Sequence, residues 1–208
     1  MRANVVRAMV AAALVGLLLA GCEQEPEGPP IEGPPPEMID AGDDLASEEA
    51  VEMGFNIESS AFRDGETIPA KYTADGEDVS PPLSFEGVPE KAVELALICH
   101  DPDAPRAGGW THWVVYGMAP EIDGLPEGVP TDSTVDDPKL VQGVTDFGST
   151  GYGGPAPPPG AAHRYQFKCY ALSAQLDLEP GATKDELEAA MEGKVIGEAM
   201  LEGLYARQ

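Results

Sequence analysis

Residues 164–171, RYQFKCYA, alternate Tyr165, Phe167 and Cys169 with Arg164, Gln166 and Lys168. Successive side chains of a strand point to opposite faces, so this pattern fits a strand with one face in a core and the other in water. It does not fit a helix. Shorter apolar runs at 55–58 (FNIE), 92–99 (AVELALIC) and 111–117 (THWVVYG) read as further strands, separated by Gly, Pro and Asp. With 24 Gly and 21 Pro among 208 residues and no alternating βαβ units, the pattern predicts a mainly β, mainly antiparallel domain with peripheral helices. Helical signals are confined to the tail. Thr183 and Glu186 form a capping box ahead of Leu187, Ala190 and Met191, and Gly193 stops that helix. A second run, Val195 to Tyr205, places Ile196, Ala199, Met200 and Leu204 at helical spacing and predicts a second terminal helix.

The N-terminus carries different information. Arg2 and Arg7 precede an apolar run from Ala8 to Leu18 and then Leu19-Ala20-Gly21-Cys22, the order of a bacterial secretory leader ending in a lipoprotein cleavage box. The apolar run is shorter than the roughly 20 residues of a spanning helix. Residues 1–21 are therefore expected to be a signal peptide. Cys22 becomes the acylated first residue, anchoring the chain to the extracytoplasmic side of a bacterial membrane. Residues 22–53 are rich in Glu, Asp, Pro and Gly and read as a disordered tether, leaving 54–208 as one domain. Removing residues 1–21 takes away two arginines and brings the formal charge from −25 to −27. Such a charge excludes binding to bulk nucleic acid. It also predicts that any anion is captured by short-range hydrogen bonds, with affinity rising as salt screens the general repulsion. Cys99 and Cys169 lie in apolar strand runs and are read as buried free thiols.

Two segments share a pattern suited to a site. In DPDAPRAGGWTHW (101–113), Pro102 and Pro105 stiffen a loop that presents Asp101 and Asp103 ahead of His112. In GYGGPAPPPGAAHRY (151–165), a Gly-Pro loop runs into His163 and Tyr165. Rigid loops with an imidazole beside an aromatic residue make a small polar pocket with dry walls. The imidazoles and loop amides would share an anion's charge, while Asp101 holds a histidine's second nitrogen or accepts from a ligand amine. That chemistry suits a zwitterionic headgroup better than a bare anion. Simpler roles exist for each group: Asp before Pro forms turns, histidines sit satisfied at strand ends, and Trp110, Trp113, Tyr165 and Phe167 are most simply core. His100 is assigned no ligand contact. The histidines lack metal-ligand spacing, and GSTGYGG (148–154) is not followed by the Lys-Ser/Thr of a nucleotide loop, so neither a metal nor another cofactor is expected.

Taken together, Ile68-Pro69, KYTADGEDVSPPLSFEGVP (71–89), DPDAP, THWVVYG, GYGGPAPPPG, HRYQFKCYAL and the tail AMLEGLYAR resemble the phosphatidylethanolamine-binding protein family, in its bacterial Raf kinase inhibitor-like branch. The resemblance implies a large central antiparallel sheet, a smaller sheet and one or two C-terminal helices. It also implies a small cavity for phosphate-like groups built from Asp101, Asp103, His112, Gly154, Pro155, His163 and Tyr165. Ala156 stands where bacterial relatives often carry Cys, and Ala161-Ala162 lengthen the approach to His163, departures that bear on the rim of the pocket. The expected function is a non-catalytic binding module for a phosphate-like or phosphoethanolamine-type ligand, or for a peptide or protein partner. A small hydrolase using Asp and His as general acid and base is the alternative, although Ser149 lacks a nucleophile elbow. Inhibition of a protease or kinase by surface contact rests on family analogy alone.

Overall fold

The computed structural model describes residues 54–207; the leader, Cys22 and the expected tether lie outside them. The elements follow in the order β1 (Asn56–Glu58), β2 (Leu83–Glu86), β3 (Glu94–Asp101), β4 (Trp110–Met118), β5 (Gly124–Leu125), β6 (Thr134–Asp136), β7 (Lys139–Gln142), β8 (His163–Leu172), α1 (Lys184–Met191) and β9 (Val195–Tyr205). A six-stranded sheet runs β6-β7-β4-β3-β8-β9, and a three-stranded sheet runs β1-β2-β5. Every pairing between these strands is antiparallel.

Side-chain parity builds three layers on the large sheet. On one face Leu95, Leu97 and Cys99 of β3 join Phe167 and Cys169 of β8, and they meet Ile57, Phe85 and Leu125 from the small sheet. On the other face Ala96 and Ile98 join Val114, Tyr116 and Leu172 and are covered by Leu187 and Met191 of α1. Burial on both sides explains why 95–99 is continuously apolar while β8, nearer the edge, alternates. Cys99 and Cys169 are both unpaired and buried, and desolvation pushes both thiols up from their ordinary pKa.

Helix α1 starts as its sequence dictates. Thr183 Oγ1 accepts from the Glu186 N–H, and Glu186 Oε2 accepts from the Thr183 N–H at 2.8 Å. The second expected helix is instead β9, paired along the length of β8 from His163↔Tyr205 to Leu172↔Val195. Its inward positions, Gly197, Ala199, Leu201 and Gly203, are mostly small. A Cβ on Gly203 would stand 2.4 Å from Ile68 Cγ1, so the strand closes on the core where a helix would expose backbone and leave β8 unpaired. Among the described residues no helix is long and apolar enough to cross a membrane.

Candidate functional site

The site lies where the core face runs out of apolar side chains. On β3 the parity that buries Leu95, Leu97 and Cys99 ends on Asp101, and on β8 the parity of Phe167 and Cys169 begins with His163 and Tyr165. These polar residues therefore cap the core at one end of the sheet. Strand β4 reaches the same place differently. Cys99 pairs with Trp113 and His100 with Thr111, which leaves His112 as an extra residue without a partner. This β-bulge turns His112 toward Tyr165, at 5.0 Å between ring centres, where strict alternation from Trp113 would carry it to the helix side.

The carboxylate of Asp101 has two tasks. Its Oδ1 accepts the Asp103 N–H at 2.8 Å, the turn-forming role, and its Oδ2 accepts the His163 Nδ1–H at 2.7 Å. The Asp101 and His163 side chains are only 4% and 11% exposed. Gly109 closes the loop at φ 74°, because a Cβ there would lie 2.4 Å from the Asp101 carbonyl oxygen. His112 donates its Nδ1–H to the Gly153 carbonyl at 2.6 Å, and the Gly153 N–H donates back to the His112 carbonyl at 2.9 Å. The exchange ties the Gly-Pro loop to the bulge and fixes the His112 tautomer. Burial lowers the His112 pKa below its ordinary value, keeping the ring neutral. The Tyr165 hydroxyl is buried without a hydrogen-bond partner, and burial together with the Asp101 charge raises its pKa.

Asp101, His112, His163 and Tyr165 line one cavity of about 300 Å³. Its walls are Trp110, Phe147, Pro105, Ala156, Pro157 and Pro158, with Ala104 and Arg106 completing the lining. Trp110 and His112 each meet Phe147 edge-on at 5.3 Å, so a row of aromatic rings backs the polar groups. A concave site with apolar walls and a few convergent polar groups is the architecture of small-ligand recognition.

Four of the expected site residues thus come together and three stand apart. Asp103 faces away from the cavity. It accepts from the backbone N–H, Nε and Nη2 of Arg164 at 2.8–2.9 Å, and that guanidinium holds its pKa down at about 2. Gly154 and Pro155 lie behind the cavity wall. The Gly154 N–H donates to Asp78 Oδ1 at 2.7 Å and the Pro155 carbonyl accepts from Ala74, which pins the loop whose next three residues form the wall. Reasoning from sequence missed Asp78, held at φ 57°, and the wall residue Phe147. Trp110, read most simply as core, is half-buried and lines the cavity, because it pairs with Asp101 at the strand end. Nothing local in the sequence marks Phe147. Asp78 has a weak signal, since Asp is one of few residues that tolerate the left-handed region. Among the described residues no group of three His, Cys, Asp or Glu side chains converges as metal ligands would.

The sequence profile described as phosphatidylethanolamine-binding protein matches residues 58–206, which includes every strand from β2 to β9 and the whole cavity. The chain belongs to the phosphatidylethanolamine-binding protein family. A UPF0098 protein of Methanothermobacter thermautotrophicus is 54% identical over 153 residues, covering 74% of this chain and 99% of the relative. Among solved structures, a phosphatidylethanolamine-binding protein homologue from Chlamydia trachomatis is similar with a TM-score of 0.68 and 42% identity, over 74% of this chain and 99% of its own. Escherichia coli YbcL, described as a new member of the mammalian family, is similar with a TM-score of 0.66 and 30% identity over the same shares. In phosphatidylethanolamine-binding protein terms, Ala156 stands in the cavity wall, whereas Ala161 and Ala162 are exposed and outside the lining. Ala161 and Ala162 therefore form no part of the cavity wall.

Proposed function

We propose that this member of the family is a binding protein whose cavity recognises a phosphate-bearing or zwitterionic headgroup of the phosphoethanolamine type. The observation that carries the reading is the arrangement of the two imidazoles. Each has its Nδ1–H engaged, His163 by the Asp101 carboxylate and His112 by a carbonyl, so in both rings Nε2 is the atom left for a ligand. The His163 ring, braced through Nδ1 by the Asp101 carboxylate, is assigned the ligand's anionic oxygen. Neutral His112 offers a lone pair, which calls for an N–H or O–H on the ligand. A partly protonated phosphate or a phosphoethanolamine supplies both kinds of atom. Among the described residues the lining contains no serine, threonine, cysteine or lysine, which favours binding over covalent turnover at this site.

The leader and Cys22 support placing this activity on a lipid-anchored protein outside the cytoplasm, with the 22–53 segment as tether. Membrane fractionation of the wild-type chain and of Cys22→Ala tests the anchor; wild type is expected with membranes and the variant released. For the ligand, full-length protein in detergent is titrated with inorganic phosphate and phosphoethanolamine by calorimetry. Saturable binding is expected, stronger for phosphoethanolamine and lost in His112→Ala and Asp101→Asn. Silence from wild type with both compounds, or binding that survives both substitutions, overturns the reading.

A further inference from the structure

The cavity that holds Asp101 and a neutral His112 has one permanently cationic side chain in its lining, Arg106. Arg106 follows DPDAP in the loop between β3 and β4, and its side chain is 53% exposed. Its guanidinium carbon stands 5.3 Å from the centre of the Trp110 ring, and Nη1 donates to Asp146 Oδ1 at 2.8 Å. Asp146 itself is fixed. Its Oδ2 accepts the Thr111 N–H at 2.7 Å and its own N–H donates to the Thr111 carbonyl at 3.1 Å. The acid is therefore part of the β4 framework, whereas the guanidinium sits at the end of a long, half-exposed side chain. Arg106 also lines a separate polar recess of about 180 Å³ on its other side, together with Asp146 and Lys184. It stands in the wall between an acidic partner and the candidate ligand cavity. A guanidinium has five N–H donors, and among the described residues the Arg106 side chain uses only one of its nitrogens.

We infer that Arg106 selects the charge of the ligand: it leaves Asp146 for the oxygens of a bound phosphate and thereby favours doubly charged phosphate and its monoesters over singly charged diesters. Asp146 keeps the arm at the mouth of the cavity and competes with the ligand for it. The inference rests on the proposed phosphate-recognising role of the same cavity, which by itself makes no distinction between a monoester and a diester. It gives the site a source of positive charge that its histidines supply only when protonated, in a chain whose overall charge of −25 repels anions. A fork of donors also matches phosphate geometry better than a point charge does.

The test uses full-length protein in detergent and three probes: inorganic phosphate, phosphoethanolamine, and glycerophosphoethanolamine, a diester with a single negative charge. Arg106→Gln is expected to weaken phosphate and phosphoethanolamine about tenfold and the diester about threefold or less, without moving the thermal midpoint. Arg106→Lys recovers part of the loss, because it keeps the charge and loses the fork. Asp146→Asn is expected to tighten the two doubly charged probes about threefold, since the competitor for the arm is gone. Were Arg106 only a brace for its loop, Arg106→Gln and Asp146→Asn would weaken all three probes in parallel, and that result overturns the inference. So does unchanged binding in Arg106→Gln beside normal wild-type binding, which leaves the proposed function standing. Wild type that binds none of the probes removes both.

Discussion

His163 and Arg164 are neighbours at the start of β8, and each holds one carboxylate of the Asp101–Asp103 loop, at 2.7 and 2.8 Å. Because strand side chains alternate, the first pair points inward and the second outward. The inner side chains are 11% and 4% exposed and the outer ones 47% and 31%. Near-identical chemistry two residues apart therefore has different consequences. The inner carboxylate, desolvated and shared between a turn and an imidazole, sets the orientation of a ring in the cavity. The outer one, washed by water, straps the loop to the strand in three hydrogen bonds and leaves the cavity alone. Location relative to the sheet, and not the kind of ion pair, separates recognition from fastening.

The contrast breaks most clearly at Asp101. Asp101→Ala leaves a buried imidazole without its acceptor and the Asp103 amide without its cap, so a loss of about 3 kcal/mol is expected from urea denaturation, together with loss of phosphate binding. His163→Gln is expected to cost about 1–2 kcal/mol by the same measurement, since the amide can still donate to Asp101. Asp101→Ala with unchanged stability would erase the distinction between the pairs.

Acid separates the buried histidines from the exposed Asp103 by window. Burial depresses the pKa of His112, and also that of His100 on the helix side, so the unfolded chain takes up protons that these folded histidines refuse. Their contribution to stability is complete above the unfolded value of about 6.5 and is lost progressively as pH falls below it. Asp103 behaves as a depressed carboxylate. Its contribution is complete above the ordinary carboxylate value of 3.8 and fades as pH falls toward about 2. The denaturation midpoint followed against pH is expected to decline in two stages. His112→Gln should shrink the upper stage, leaving the His100 share, and Asp103→Asn should shrink the lower one, leaving the shares of Asp75, Glu127, Asp146 and Glu186. Arg164→Ala is the smallest change: its thermal midpoint should differ little from those of other surface variants, with phosphate affinity unaltered, because the pair it removes is exposed.

The same contrast shows what sequence can and cannot display. Alternation in 164–171 and the continuous apolar run at 95–99 already separate a sheet with one open face near its edge from a strand buried on both sides. The capping box at Thr183 is equally local and equally visible. Asp101 and Asp103 look alike in DPDAP; they separate because β3 ends on Asp101, facing the core, while Asp103 lies past it in the turn and meets Arg164 on the outer face of β8. The Val195–Tyr205 run was open to misreading for a related reason. Its apolar residues fall at helical spacing, and only pairing with β8, together with Gly203 facing Ile68 and Phe62, makes it a strand. Arg106 and Phe147 reach the cavity from loops, where no periodicity announces direction.

The unmatched residue in β4 has a consequence for how such a chain tolerates change in length. Deleting His112, the one position between Thr111 and Trp113, would remove the register shift at Cys99/His100, and by hydrogen bonding alone this end of the edited strand would be the more regular one. It would also remove the imidazole, and the hollow would survive as an empty dent in a well-formed sheet. In this stretch, substitutions are gradual while single-residue gaps are all-or-none.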